Sequence, residues 1–354
     1  MKNNKITLYP TNWLYNAAVV GFISTLPDDK YEFKDGVVSI DKNIFAQLDV
    51  ENNYFDKNKI INLKGKNEYY PNYIDTKGNQ KTTFVKYVKF LINLNNIGNC
   101  NICNNAHYLS KQDIEKLHSS NNSANKFFDK IKSFNMVYSK KLGPSEGEFP
   151  NGFWNMKQSL EICHLCSFIL IHQHITFTKL SDYSEIFINA PSFKVMYELN
   201  KLVKETYSTG HAEESKSKRE ILATSVIEYS RRITSTLGLW TEMNIEIVTK
   251  TKEGIDFYSL PYNIVNIISD RRIAALLSDL GEFKILNKVL DSKFSELVEI
   301  GYLLLRESTK DFNQRNKDLI KGLLFRWNNQ NNLTQTANKI LKLYSLIEEN
   351  NRRS

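Results

Sequence analysis

The sequence predicts an α+β fold: a mixed body with small hairpins and a four-cysteine zinc-knuckle module, followed by a helical C-terminal region. Three observations predict it. Apolar residues alternate around Asp35-Gly36 and again ahead of Pro261, as half-buried strands require. Beyond Pro261 they recur at helical spacing almost to the end of the chain. Between these regions, four cysteines fall as two C-x-x-C pairs.

In chain order, Thr11, after Pro10, is expected to cap a helix running from Trp13 towards Ser24, which Pro27 ends. The Asp35-Gly36 pair suits a type I′ turn between strands carrying Tyr31, Phe33, Val37 and Ile40. A helix over 81–94 turns Phe84, Val88 and Leu91 inward and Lys86 and Lys89 outward. Asn, Gly and Ser are dense over 93–105 and 119–125, and 143–152 reads as a loop. A helix follows over about 191–207. The polar stretch 208–218, with Gly210, reads as a linker or flexible loop, and another helix then runs to about Leu237. Strands over 239–248 and 255–260 form a second hairpin. Helices over 261–280, 282–306, 311–327 and 333–349 complete the chain, and the short breaks between them favour an antiparallel bundle. This reading places a mixed body over 1–260, with its zinc module at about 95–180, and a helical bundle region over 261–354.

The 354 residues are 41% hydrophobic and 24% charged, a globular composition long enough for one large core or several smaller ones. No apolar run reaches the roughly 18 residues that a bilayer span requires. The opening residues 1–6 lack the apolar stretch of a secretory leader, so a cytoplasmic location is expected. A net charge of +8 suits a polyanionic partner. The 40 Asn and 37 Lys against 10 Arg weaken that inference, because A+T-rich coding sequence produces the same bias. All ten arginines lie at or beyond Arg219, which gives the C-terminal part the better phosphate-clamping side chains.

The cysteines carry the strongest local signal. Cys100 and Cys103 form one pair, Cys163 and Cys166 the other, and none is left over. Two-residue spacing lets a tight knuckle aim both thiolates at one metal ion, and two knuckles complete a tetrahedral zinc shell. The 59 residues between the pairs, 104–162, exceed the gap of an ordinary zinc ribbon, so one structural zinc ion would clamp two distant segments. Four thiolates leave no open position for a catalytic water. Disulfides do not suit a cytosolic protein, a thioredoxin-like site would use only one pair, and independent buried thiols would not recur at this spacing.

Other constellations are weaker. His107 and His164 lie near the knuckles, where supporting or surface roles outweigh metal ligation. His172 and His174 point to different faces of a helix, so one partly buried and one exposed imidazole is the simpler reading. No P-loop, dinucleotide fingerprint, zincin motif or nucleophile elbow occurs, and no carboxylate cluster suggests a metal-dependent nuclease. Lys86, Lys89 and the arginine pairs Arg231-Arg232 and Arg271-Arg272 are the candidate nucleic-acid contacts. The ordinary alternative makes them solvated helix faces or partners of Glu228 and Asp270. Trp13, Trp154, Trp240 and Trp327 sit among apolar neighbours and are expected in the core.

Two features together carry a resemblance. The C-x-x-C pairs lie about sixty residues apart with Trp154 before the second, and the chain opens on Asn12-Trp13-Leu14-Tyr15-Asn16-Ala17-Ala18-Val19-Val20-Gly21-Phe22. In both it resembles the CXXC–CXXC class of CRISPR-associated proteins, the large subunit of type I-B effector (Cascade) complexes. The resemblance covers about the first half of the chain. It implies a non-catalytic subunit of an RNA-guided surveillance complex, which binds double-stranded target DNA, recognises its flanking motif, helps open the duplex and docks a helicase–nuclease. Its partners would be the subunits that carry guide RNA, with base pairing reading the target sequence. Related systems also make the C-terminal helices separately from an internal start, for which Met243 is the available methionine. Two other readings remain: a nuclease or nucleotide-modifying enzyme with a structural zinc module, and a DNA-binding regulator that uses the knuckles directly.

Overall fold

The computed structural model describes residues 4–56, 79–96, 98–103, 105–118, 133–134, 160–180, 182–207, 218–232, 245–309, 314–324 and 330–353. Helices and small antiparallel sheets are mixed along the chain and its C-terminal region is helical, as the sequence predicts. By contacts it forms two compact units. The first comprises 1–177, 191–197 and 252–254; the second comprises 178–190, 198–251 and 255–354. These units divide the chain elsewhere than at 260/261.

In the first unit, β1 (Lys5–Leu8) pairs with β3 (Val37–Asp41), which pairs with β2 (Tyr31–Lys34), all antiparallel. The turn between β2 and β3 is the expected one: Asp35 and Gly36 both take left-handed backbone, with φ of 50° and 81°. The helix α1 (Trp13–Ile23) is apolar nearly all round, and every residue from Leu14 to Ile23 is buried. Its cap differs from expectation. Asn12, not Thr11, accepts from the Tyr15 N–H at 3.0 Å, which frees the Thr11 hydroxyl for a distant partner.

Two short helices follow, α2 (Ile44–Gln47) and α3 (Val50–Phe55). Then comes α4 (Asn79–Phe90), which buries Phe84 and Val88 and exposes Lys86 and Lys89 as its periodicity requires. The two-residue strands β4 (Asn95–Asn96) and β5 (His107–Tyr108) pair around the first cysteine pair. After α5 (Lys111–His118), β6 (Ser133–Phe134) pairs with β7 (Leu160–Glu161) ahead of the second. α6 (His164–Ile169), a 3-10 turn at Leu170–His172 and α7 (Gln173–Thr176) pack against α1. Buried Phe22, Phe45, Tyr54, Phe84 and Phe168 fill the space between these helices, with ring centroids 5.4–6.5 Å apart. Trp13 is only half-buried, edge-on to Phe177. Trp154, Trp240 and Trp327 lie outside the described residues, as do the loop over 143–152, most of the polar stretch 208–218, and Met243.

The second unit holds a four-stranded antiparallel sheet ordered β11-β10-β9-β8. Its strands are β8 (Thr178–Lys179), β9 (Glu185–Asn189), β10 (Glu246–Lys250) and β11 (Ile255–Ser259). The second hairpin exists, with its first strand at Glu246–Lys250; 239–244 lie outside the described residues. β9 was not evident from the sequence. Its central residues Ile186, Phe187 and Ile188 are all buried, so it shows a continuous apolar run and no alternation. From α8 (Phe193–Tyr207), which runs from the first unit's residues into the second's, buried Asn200 holds β9 by bonding both the N–H and the carbonyl of Ile188, each at 2.8 Å.

The remaining helices are α9 (Lys218–Arg232), α10 (Tyr262–Ser269), α11 (Arg271–Leu280), α12 (Phe283–Leu290), α13 (Phe294–Ser308), α14 (Gln314–Leu323) and α15 (Gln330–Arg353). Two expected helices are each divided. Asp270, in extended backbone, ends α10 and caps α11 by accepting from Arg272 N and Ile273 N at 2.8 and 3.3 Å. Ser292, at a φ of 57°, separates α12 from α13. Gly281 makes the expected break at a φ of 60°.

Candidate metal centre

Each knuckle is built locally. Cys100 and Cys103 sit in the loop that β4 and β5 close, beside Gly98 at a φ of 96°. Cys163 is the N-cap of α6, and its sulfur accepts from the Cys166 N–H at 3.4 Å, which aims both side chains of the second pair off one helical turn. The Cys163 N–H in turn donates to Cys100 Sγ at 3.3 Å. Backbone from one knuckle therefore supports a sulfur of the other.

The four sulfurs lie within 4.8 Å of one another, with Cys100–Cys166 at 3.8 Å and Cys103–Cys163 at 3.9 Å. A tetrahedral shell with Zn–S bonds near 2.3 Å puts its sulfurs about 3.8 Å apart, so the donor set fits zinc in both chemistry and spacing. All four are free thiols and buried. Burial pushes the Cys163 and Cys166 thiols up, whereas hydrogen bonds with Cys103, Cys163 and Cys166 hold Cys100 down. Four thiolates cannot share so small a volume without a cation among them; a divalent ion supplies that charge, and binding it releases protons.

The opening helix meets this centre directly. Thr11 Oγ1 donates to the carbonyl of Ile102, between Cys100 and Cys103, at 2.9 Å, and Asn12 Nδ2 donates to the same oxygen at 3.4 Å. Buried Asn16 braces the pair by accepting from Thr11 N at 2.8 Å and donating to its carbonyl at 3.3 Å. Buried Tyr15 lies close enough to all four cysteines that their charge raises its pKa further, beyond the effect of burial. The sequence marked the opening segment and the cysteines separately; the fold joins them. An amide at Asn16, inside an otherwise apolar run, is the signal from which its bracing role could have been found.

Of the described histidines none joins the four-sulfur group, and His164 ties the second knuckle to its surroundings. His164 Nδ1 accepts from Leu109 N at 2.9 Å, and the Tyr87 hydroxyl donates to the His164 carbonyl, so α6 is tied to the residue that follows β5 and to α4. His107 is buried on β5. Among the described residues, the potential metal-holding group consists of the four cysteines alone. His172 and His174 do not share a site. His172 is buried, donating from Nδ1 to the Ile169 carbonyl at 3.0 Å and accepting at Nε2 from the Tyr54 hydroxyl at 2.8 Å, while His174 is half-buried. Burial lowers the His172 pKa to about 3.

The candidate nucleic-acid residues are dispersed. Lys86 and Lys89 are exposed on α4, and Arg271 is exposed on α11. Arg231 pairs with Glu228 at 2.9 Å, and Arg272 with Asp270 and Glu349 at 3.3 and 3.1 Å. Two of these arginines thus have the acidic partners that the ordinary reading assigns them. Arg232 ends α9, and its side chain lies outside the described residues.

No helix among the described residues is long and apolar enough to cross a membrane. No curated protein and no solved structure matches the chain. The model of one family, described as CRISPR-associated protein (Cas_CXXC_CXXC), matches residues 129–178. That stretch contains the second knuckle, the helix it caps and the turn packed against α1. Over these residues the chain is similar to CRISPR-associated proteins named for two C-x-x-C motifs, and both motifs are present and spatially joined here.

Proposed function

We propose that this protein is a non-catalytic large subunit of a type I-B RNA-guided surveillance complex in the cytoplasm. In that role it binds double-stranded target DNA at the flanking motif, helps open the duplex, assembles with the subunits that carry guide RNA and docks the helicase–nuclease. One observation carries the reading: two C-x-x-C knuckles 59 residues apart close on a single four-sulfur centre, and the second of them lies within residues 129–178, the stretch similar to the CRISPR-associated family. A closed shell of four thiolates suits a staple and leaves no position for a metal-bound nucleophile. The net charge of +8 supports phosphate contact spread over the surface. Target sequence would be read by guide RNA pairing, and this chain would contribute backbone and flanking-motif contacts.

The test is purification of the tagged chain from cells that express it with its neighbouring interference subunits. The bound RNA is sequenced and the metal in the same sample measured. The expected result is one zinc per chain, co-purifying guide RNA, and affinity for target duplex that falls steeply with salt. A chain that joins no ribonucleoprotein and ignores duplex DNA at low salt overturns the proposal. Metal-dependent cleavage of DNA or RNA by the isolated chain replaces it with the nuclease reading.

A further inference from the structure

The turn joining β8 to β9 holds a residue that the fold itself does not use. Tyr183 has a φ of 64°, left-handed backbone that a bulky L-residue rarely adopts. Of the three described non-glycine residues at positive φ, the other two are Asp35 and Ser292, small polar residues suited to turns. Such backbone persists only where its surroundings impose it. Here they do. Tyr183 N donates to the Leu180 carbonyl at 3.1 Å and Leu180 N to the Ser184 carbonyl at 2.8 Å. The Asp182 carboxylate accepts from both Ser184 N and Ser184 Oγ, at 2.9 and 2.6 Å. A tightly bonded turn therefore fixes the tyrosine, yet its side chain is 74% exposed, more than any other large apolar side chain among the described residues. Lys179 Nζ stands 5.3 Å from the ring centroid.

We propose that Tyr183 and Lys179 form a nucleic-acid contact, in which an unpaired base stacks on the tyrosine ring and the adjoining phosphate meets the lysine ammonium. The inference rests on the function proposed above and adds a site to it. The surroundings favour this partner over a protein. A protein hot spot needs a rim of packed neighbours to exclude water, and here the neighbouring exposed side chains are Lys179 and Asp182. A rigid aromatic face beside an ammonium is what a splayed base and its phosphate require. Stacking tolerates any sequence, which suits a strand opened in a duplex whose sequence is read by the guide.

The test uses the full-length protein, in its complex where one forms, and a fluorescein-labelled 30-nucleotide single-stranded DNA. Tyr183→Ala is expected to weaken binding roughly five- to 150-fold, and Tyr183→Trp to preserve it. The same oligomer with an abasic tract should bind wild type and Tyr183→Ala equally. Lys179→Gln should reduce the slope of log affinity against log salt by about one. Tyr183→Gly separates contact from folding: it should bind as weakly as the alanine variant while raising Tm by about 2–4 °C, because glycine accepts left-handed backbone. Wild-type binding that Tyr183→Ala leaves unchanged overturns this site alone. A wild-type protein that binds duplex DNA but no single-stranded oligomer likewise overturns this site alone, whereas one that binds neither and joins no ribonucleoprotein overturns the proposed function with it. A Tyr183→Ala protein that keeps DNA affinity but loses a partner subunit overturns the site in favour of a protein contact.

Discussion

Replacing Gly21 by alanine sets two physical effects against each other. Helix propensity alone favours alanine by about 1 kcal/mol in the middle of α1. Packing opposes it. A Cβ on Gly21 would lie 2.1 Å from the carbonyl oxygen of His172 and 3.0 Å from Thr176 Oγ1, where ordinary contact begins near 3.4 Å. The obstacle is backbone and cannot rotate away, so α1 and the segment after the second knuckle must part by about 1.3 Å. A displacement of that size stretches the 2.7 Å bond from Thr176 Oγ1 to the Ala17 carbonyl to about 4 Å, leaving a buried hydroxyl and a buried carbonyl without it. Overpacking costs about 1–3 kcal/mol and the lost bond about as much, so after the propensity gain the variant should be less stable by about 1–5 kcal/mol, centred near 3 kcal/mol. Urea unfolding followed by far-ultraviolet circular dichroism reads this as a midpoint lower by about 1 M, taking a slope near 3 kcal/mol per molar. A Gly21→Ala protein with the parental midpoint or a higher one refutes the close-approach reasoning.

Three further outcomes follow from the same geometry. Cys163→Ser keeps an N-cap acceptor for α6 but removes one metal ligand, so the variant should lose its zinc and up to the order of 10 kcal/mol of binding free energy; a purified variant that retains one zinc per chain contradicts the four-thiolate shell. Asn16→Ala releases the brace on Thr11 and leaves its backbone groups unpaired, so zinc should exchange faster to a chromophoric chelator although no ligand has changed, at a stability cost of about 1–3 kcal/mol; unaltered exchange separates α1 from the centre. His172 is neutral in the fold, with its pKa lowered to about 3 against about 6.5 when unfolded. The unfolded chain therefore binds the extra proton between those values, and this contribution to stability is whole above pH 6.5. As pH falls through the window it is lost at about 1.4 kcal/mol per pH unit. In nuclear magnetic resonance spectra the His172 ring signals should hold their positions down to pH 5, and titration near pH 6.5 would show the ring to be accessible.

The knuckle spacing, the Asp35-Gly36 hairpin, the inward face of α4 and the helical C-terminal region were legible from the chain because each depends on neighbours within a few residues: turn chemistry, helical periodicity, two thiols on one turn. Asn12 displaced Thr11 as the cap of α1 because a threonine hydroxyl can serve a local N–H or a remote carbonyl, and only folding presents the carbonyl of Ile102. β9 showed no alternation because both its faces are covered, and a buried strand then looks like any apolar run. Asp270 divided a helix whose apolar periodicity runs straight through it, since a capping carboxylate interrupts the backbone without interrupting the pattern. Short-range order thus determined that two C-x-x-C knuckles exist, each able to aim two thiols at one point. That their sulfurs meet, that the opening helix grips the loop between Cys100 and Cys103, and that Gly21 must be bare were decided by tertiary packing, because contacts between segments remote along the chain depend on where the rest of the chain places them.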